Sequence, residues 1–303
     1  MSDIVALGEP LAEFNQQPDG RWLEGFGGDT SNCAIATARQ GAKTAMIARI
    51  GTDAFGDGLM ALWEREGVST RWVTRDTDAP TGIYFIHHRE DGHVFSYRRA
   101  GSAAALMRPD DVPAEAIREA RVLHLSGISQ AISASAADAC FEAMKIARDA
   151  GTIVSYDTNL RLRLWPVERA RAVIHEALRF VDVALPGIDD ARALTGLDDP
   201  RRILAFYRAL GPRIVALTLG GDGAIVAHGE EVHEIAPRKA ALVDASGAGD
   251  CFDGAFLARW LATGDVAASA AYANCAASLS TEGYGAIAPI PRREAVEAAL
   301  GTS

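Results

Sequence analysis

The chain predicts an α/β fold, a mostly parallel sheet sandwiched by helices with a small β-sheet lid beside it. Three observations carry this. Along the middle and later chain, short apolar runs alternate with stretches of helical periodicity. Strands alternating with helices imply right-handed βαβ crossovers and a parallel sheet covered on both faces. Two segments, about residues 9–26 and 81–100, break that rhythm with β-type patterning. Finally, 303 residues with 49% hydrophobic and 23% charged suffice for one large α/β unit, and exclude disorder, collagen or coiled coil as overall descriptions. Residues 1–303 are therefore expected to form a single domain, with the lid inserted in its core.

The elements follow in order. An apolar run ending at Leu7 is the first strand, and the non-helical stretch after it carries Pro18, Gly20 and Gly25. Residues 81–99 alternate around Asp91-Gly92, a hairpin signal with Ile83, Tyr84, Phe85, Val94, Phe95 and Tyr97 on its arms. Residues 122–126 read as a strand, and 136–150 as a helix stopped by Gly151. A strand at 153–156, a helix at 169–180 and a strand at 181–185 come next. The Asp189 region and residues 200–210 read as helices, 214–219 as a buried strand, and 267–279 as a further helix.

Charge narrows the partners. Lys plus Arg number 30 against 40 Asp plus Glu, so the net charge is −10. Sequence-independent nucleic-acid binding needs a basic face and is not expected. Lys43, Lys145 and Lys239 are the sole lysines, so an anionic ligand would meet Arg forks or backbone amides. The opening apolar run is too short and too acidic for a signal peptide, and no apolar stretch approaches a membrane span. Cys33, Cys140, Cys251 and Cys275 are scattered without a C-x-x-C pair, which predicts buried reduced thiols and a cytoplasmic protein.

Chemistry concentrates in Asp244-Ala-Ser-Gly-Ala-Gly-Asp250, which runs into a segment of helical spacing. Gly247, Ala248 and Gly249 then sit at a helix N-terminus, where small residues admit a ligand and free N–H groups favour an anion. Asp250 beside that anion hole could accept a hydroxyl proton during phosphoryl transfer, although a Gly-rich turn with an acidic helix start fits the spacing equally. Other phosphate motifs fail: Ala42 stands where a Walker A loop needs glycine, and no G-x-G-x-x-G follows the first strand.

These residues resemble the ribokinase-like, or PfkB, carbohydrate kinase family. Asp244-Ala-Ser-Gly-Ala-Gly-Asp250 is similar to its C-terminal signature. Gly27-Gly-Asp-Thr-Ser-Asn32 with Ala34, Ala38 and Gly41 is similar to the N-terminal one, and Ile50-Gly-Thr-Asp53 fits the pattern between. The resemblance spans nearly the whole chain. It implies ATP with Mg²⁺ and transfer of phosphate to a sugar hydroxyl, with Asp250 as base and Gly247, Ala248 and Gly249 as the anion hole. It also implies a nucleotide loop at Thr218-Leu-Gly-Gly-Asp-Gly223, using Thr218, Gly220, Gly221 and Gly223, with Asn274 near the adenine. The family's usual Pro-Asn-x-x-Glu element reads Pro186-Gly-Ile-Asp-Asp190 here, so Asp190 would orient Mg²⁺ waters on a shorter arm. Whether a monovalent cation assists near Asp244 is open at this stage.

Gly8-Glu-Pro-Leu11, the segment from Tyr97 to Ala104, and Asp157-Thr-Asn-Leu-Arg-Leu-Arg-Leu-Trp165 resemble the 2-keto-3-deoxygluconate kinases. An aldonic acid presents a carboxylate, which calls for an Arg. Carried over residue by residue, Gly28, Asn32, Tyr84, Tyr97, Arg99 and Arg161 would hold the sugar acid, while the alternating Arg98 and Arg163 would face elsewhere. Another PfkB-type kinase, for fructose, ribose or the deoxygalactonate epimer, is the alternative; a non-catalytic sugar-acid sensor is a third, disfavoured by Asp250. His87, His88 and His93 flank the hairpin turn, where adjacent residues point to opposite faces, so no shared metal is expected. Cys251, Trp63 and Trp260 read as core. Lid strands are natural pairing edges, so the expected assembly is a homo-oligomer, a dimer through the lid.

Overall fold

The computed structural model describes residues 2–17, 19–89 and 92–301. Its strands are β1 (Ile4–Leu7), β2 (Leu11–Gln16), β3 (Trp22–Gly27), β4 (Thr44–Gly51), β5 (Val68–Asp76), β6 (Gly82–Arg89), β7 (Gly92–Arg98) and β8 (Val122–Ser126). They continue with β9 (Ile153–Asp157), β10 (Val183–Ala184), β11 (Ile214–Thr218), β12 (Ala224–His228) and β13 (Glu231–Ile235). The main sheet runs β13-β12-β11-β10-β9-β8-β1-β4-β5, and a four-stranded sheet runs β3-β2-β6-β7. From β11 to β5 every pairing is parallel, whereas β12 and β13 pair antiparallel at one edge.

The α/β class and the small lid-like sheet are therefore both present. The antiparallel pair β12–β13 extends beyond the elements read from sequence. Elsewhere the boundaries move by a few residues: the strand expected at 181–185 shrinks to Val183–Ala184 because Val181 closes a tight turn onto the Leu178 carbonyl. Pro18 and Asp91, both turn signals in the sequence, lie outside the described residues; β6 and β7 pair antiparallel from Ile83↔Arg98 to Arg89↔Gly92. Among the described residues, no helix is long and apolar enough to cross a membrane.

The inner strands β1, β10, β11 and β12 are near-continuous runs of Val, Ile, Leu and Ala, as a doubly covered sheet requires, whereas the edge strands β5 and β13 are polar and partly exposed. One core cluster gathers around Leu123, Tyr156 and Val215, the other around Met46, Trp63 and Phe256. Trp63 is fully buried and donates its indole N–H to Ser31, and Trp260 stacks on Phe256. All four cysteines are buried free thiols.

Two helices matter most for function. The helix Asp29–Arg39 follows β3, and the helix Ala248–Thr263 follows the long loop after β13. They cross closely because Gly254 has no side chain: a Cβ there would come within 2.5 Å of the Cys33 carbonyl oxygen and 2.6 Å of Ala36 Cβ. Such contacts are forbidden to any larger residue without displacing a helix.

Candidate active site

The strand order reverses at β1, with one half of the sheet growing toward β5 and the other toward β13. Crevices outside the carboxyl ends of strands at such a reversal are where open α/β sheets bind ligands. A cavity of about 350 Å³ lies there, walled on one side by the ends of β9 to β11 and on the other by Tyr84, Phe95 and Tyr97 of the small sheet.

Its floor is the N-terminus of the helix Ala248–Thr263. Gly247 precedes it with φ +72°, a left-handed conformation, and a Cβ there would crowd the Ala286 carbonyl at 2.8 Å. No side chain caps this end, so first-turn amides face the cavity. The Ala248 N–H is already used, bonding to the Ala245 carbonyl at 3.2 Å.

Asp250 sits in that first turn and accepts a 2.8 Å hydrogen bond from Asn32 Nδ2. Burial and the neighbouring Asp29 push its carboxyl up to about 7, while Asn32 and Arg161 pull the other way. Asp253, one turn on, also lines the cavity; it is buried and its Oδ2 has no hydrogen-bond partner. Burial, together with Asp157 and Asp250, raises its pKa well above the usual carboxylate range. Asp157, at the end of β9, is raised likewise by burial and by Asp250 and Asp29.

Asn159 follows Asp157 with φ +21° and donates to Asp29 at 3.0 Å, tying the loop after β9 to the helix Asp29–Arg39. Asp190 accepts the Leu160 N–H at 2.9 Å, so its carboxylate first of all anchors that loop. Arg161 follows, with its Nη1 on the Leu160 carbonyl at 2.9 Å and 3.9 Å from Asp190.

Twelve of the residues singled out from sequence line this one cavity: Gly28, Asn32, Tyr84, Tyr97, Arg99, Arg161, Asp190, Thr218, Gly247, Ala248, Gly249 and Asp250. Thr218 and Asp190 also border a second cavity, to which Gly220 and Gly221 belong. Three expectations change. Gly223 lines neither cavity; its Cβ would strike the Ile235 carbonyl oxygen at 2.1 Å, so it is a glycine because β13 passes close by. Asn274 lies in a separate groove with 236–239 and donates to the Ala236 carbonyl at 3.0 Å. Arg163 does not face away, since it borders a groove with Arg99 and Arg161 and donates to the Phe95 carbonyl at 2.5 Å.

Tyr84 and Tyr97 are directly opposed in register and stack at 5.9 Å, while the Tyr84 hydroxyl donates to buried Glu13. Glu9, Glu13, Asp29, Asp157, Asn159 and Asp253 complete the cavity wall and were assigned no role from sequence. The signals were there: Glu9 and Asp29 stand inside quoted motifs, Asp157 ends a strand, and Asp253 lies three residues from Asp250 on one helix face.

The family pattern of the pfkB family carbohydrate kinase matches residues 1–293. The chain belongs to that family. The kinase is 36% identical over 272 residues to the 2-dehydro-3-deoxygluconokinase of Thermoproteus tenax, covering 86% of this chain and 82% of that one. It is 32% identical over 307 residues to fructokinase-1 of Zea mays, covering 95% and 94%. The solved fructokinase of Vibrio cholerae O395, bound to fructose, ADP and a calcium ion, matches the kinase with a TM-score of 0.90 at 25% identity over 98% of each chain. The ribokinase-like fold and a sugar kinase's catalytic class follow.

Proposed function

We propose that this kinase transfers phosphate from ATP to the 6-hydroxyl of 2-keto-3-deoxygluconate, giving 2-keto-3-deoxy-6-phosphogluconate. The observation that carries the reading is one cavity bordered by Arg99 and Arg161 and floored by Asp250 at a helix N-terminus. An arginine pair suits a carboxylate, and a buried carboxylate near neutral pKa suits a hydroxyl proton. Similarity to the Thermoproteus tenax enzyme points the same way.

In this reading the sugar acid lies between the small sheet, acting as a lid, and the helix floor. Gly28 and Asn32 border its middle, and Tyr97 and Tyr84 cover it. Asp250 takes the proton of the 6-hydroxyl as that oxygen bonds the transferring phosphoryl group and ADP leaves. Gly247 and Gly249 direct backbone amides at the phosphoryl oxygens, charge stabilisation being most of what phosphoryl transfer requires. Thr218, Gly220 and Gly221 border the nucleotide.

Among the described residues no three acidic, His or Cys side chains converge on a metal position. Asp190, which borders both cavities, would be the carboxylate that orients the waters of a divalent cation held by the ATP phosphates, and such a cation would supply charge neutralisation.

A neutral ketose is the second reading, favoured by the pairing of Arg99 with Glu9 at 2.8 Å. ADP release across 2-keto-3-deoxygluconate, its galactonate epimer, fructose and ribose decides between them. Highest kcat/KM for the gluconate compound is expected; faster turnover of fructose or ribose overturns the sugar-acid assignment.

A further inference from the structure

Arg99 leaves β7 where the chain returns from the small sheet, and Glu9 follows β1 where the chain first enters it. The two meet at 2.8 Å, with the Glu9 side chain wholly buried and that of Arg99 only 11% exposed. The Tyr97 ring covers one face of the guanidinium at 4.4 Å. The approach is close but poorly aligned: both Glu9 oxygens and Arg99 Nε are buried without a hydrogen-bond partner. Backbone confines Glu9, since a Cβ on Gly28 would lie 2.3 Å from the Glu9 carbonyl oxygen and one on Gly82 3.6 Å from Oε1. Both residues border the substrate cavity.

We infer that Glu9 is an internal counter-ion for Arg99 which an acidic substrate displaces, so that Glu9 sets how strongly the pocket prefers a sugar acid to a neutral sugar. The inference rests on the reading that Arg99 meets the substrate's carboxylate. A substrate carboxylate on Arg99 places two anions on one guanidinium, and like charges in a buried site disfavour each other. A neutral sugar meets no such competition. Displaced Glu9 need not stay charged, because burial already pushes its carboxyl up to about 7 against the pull of Arg99, and water supplies the proton. Removing the negative charge while keeping the shape leaves Arg99 buried and unpaired, a costly state that an anion relieves.

The test is Glu9→Gln, with 2-keto-3-deoxygluconate and fructose as probes, read by KM and by ligand-dependent melting. The ratio of kcat/KM for acid over fructose should rise about tenfold, the factor equivalent to one pKa unit of interaction. The acid should also raise the variant's Tm more than it raises the wild type's, and fructose should not. If the variant is unfolded alone, a cooperative melt restored by the acid and not by fructose is the same result. Parallel changes for both probes, weaker binding of the acid, or restoration by neither overturns the inference. Failure of the functional reading looks different: wild type then turns over fructose and ignores the acid, while Glu9→Gln still gains binding of the acid.

Discussion

Asn32 and Asp250 are separated by 218 positions in the chain, yet the Asn32 amide donates to the Asp250 carboxylate at 2.8 Å. This bond joins the two glycine-rich segments at the floor of the cavity. Each residue starts from the first turn of its own helix, and the close crossing at Gly254 brings the turns together.

Asp250→Asn should lower kcat by about 10²–10⁴-fold, the usual contribution of a general base. Nucleotide affinity, measured by calorimetry, should stay within about twofold, because the first-turn amides are backbone groups. Near-normal turnover would remove Asp250 from the role of base.

The pH profile should carry an acidic limb near the value of about 7 to which burial and Asp29 push Asp250. A base must be ionised, so activity falls as pH drops through that value. The Asn32 bond favours the ionised form, so Asn32→Ala should move the limb to higher pH. A limb that stays in place in kcat/KM profiles argues against the coupling.

Asp253 bears on stability. Its folded pKa lies well above the ordinary 3.8, so the folded protein holds a proton that the unfolded chain releases. Between those two values stability therefore falls as pH rises. Asn cannot ionise, so the Tm of Asp253→Asn minus that of wild type should grow from pH 5 to pH 8. A difference independent of pH would show that Asp253 ionises freely in the fold.

Gly254→Ala should destabilise the protein by about 1–3 kcal/mol, the usual cost of overpacking. It should also depress kcat, because its Cβ forces apart the Cys33–Thr37 segment and the helix that carries Asp250. Chemical denaturation and steady-state kinetics check both; an unperturbed Tm would mean that the helices separate at no cost.

Much of the site was legible because its chemistry is local. Gly247 needs a left-handed backbone before a helix, and Asp250 belongs to that helix's first turn, so the motif declares itself within seven residues. Arg163 was misplaced for an equally physical reason. Alternation of faces holds only along a strand, and 158–166 is a loop in which Leu164 turns back onto the Arg161 carbonyl. Asn274 was drawn to a groove of its own by the segment after β13, which was itself not read as following a strand.

The periodicity of the apolar residues, being local, was enough to determine the α/β class and the small sheet, and the two signatures were legible as short motifs that resemble those of the family. A carboxylate's meaning is not local. Glu9, Asp29, Asp157 and Asp253 read singly as helix starts, strand ends or solvated charges. Only the tertiary structure places them in one buried cavity, where lost hydration and mutual repulsion raise the pKa values of Glu9, Asp157 and Asp253.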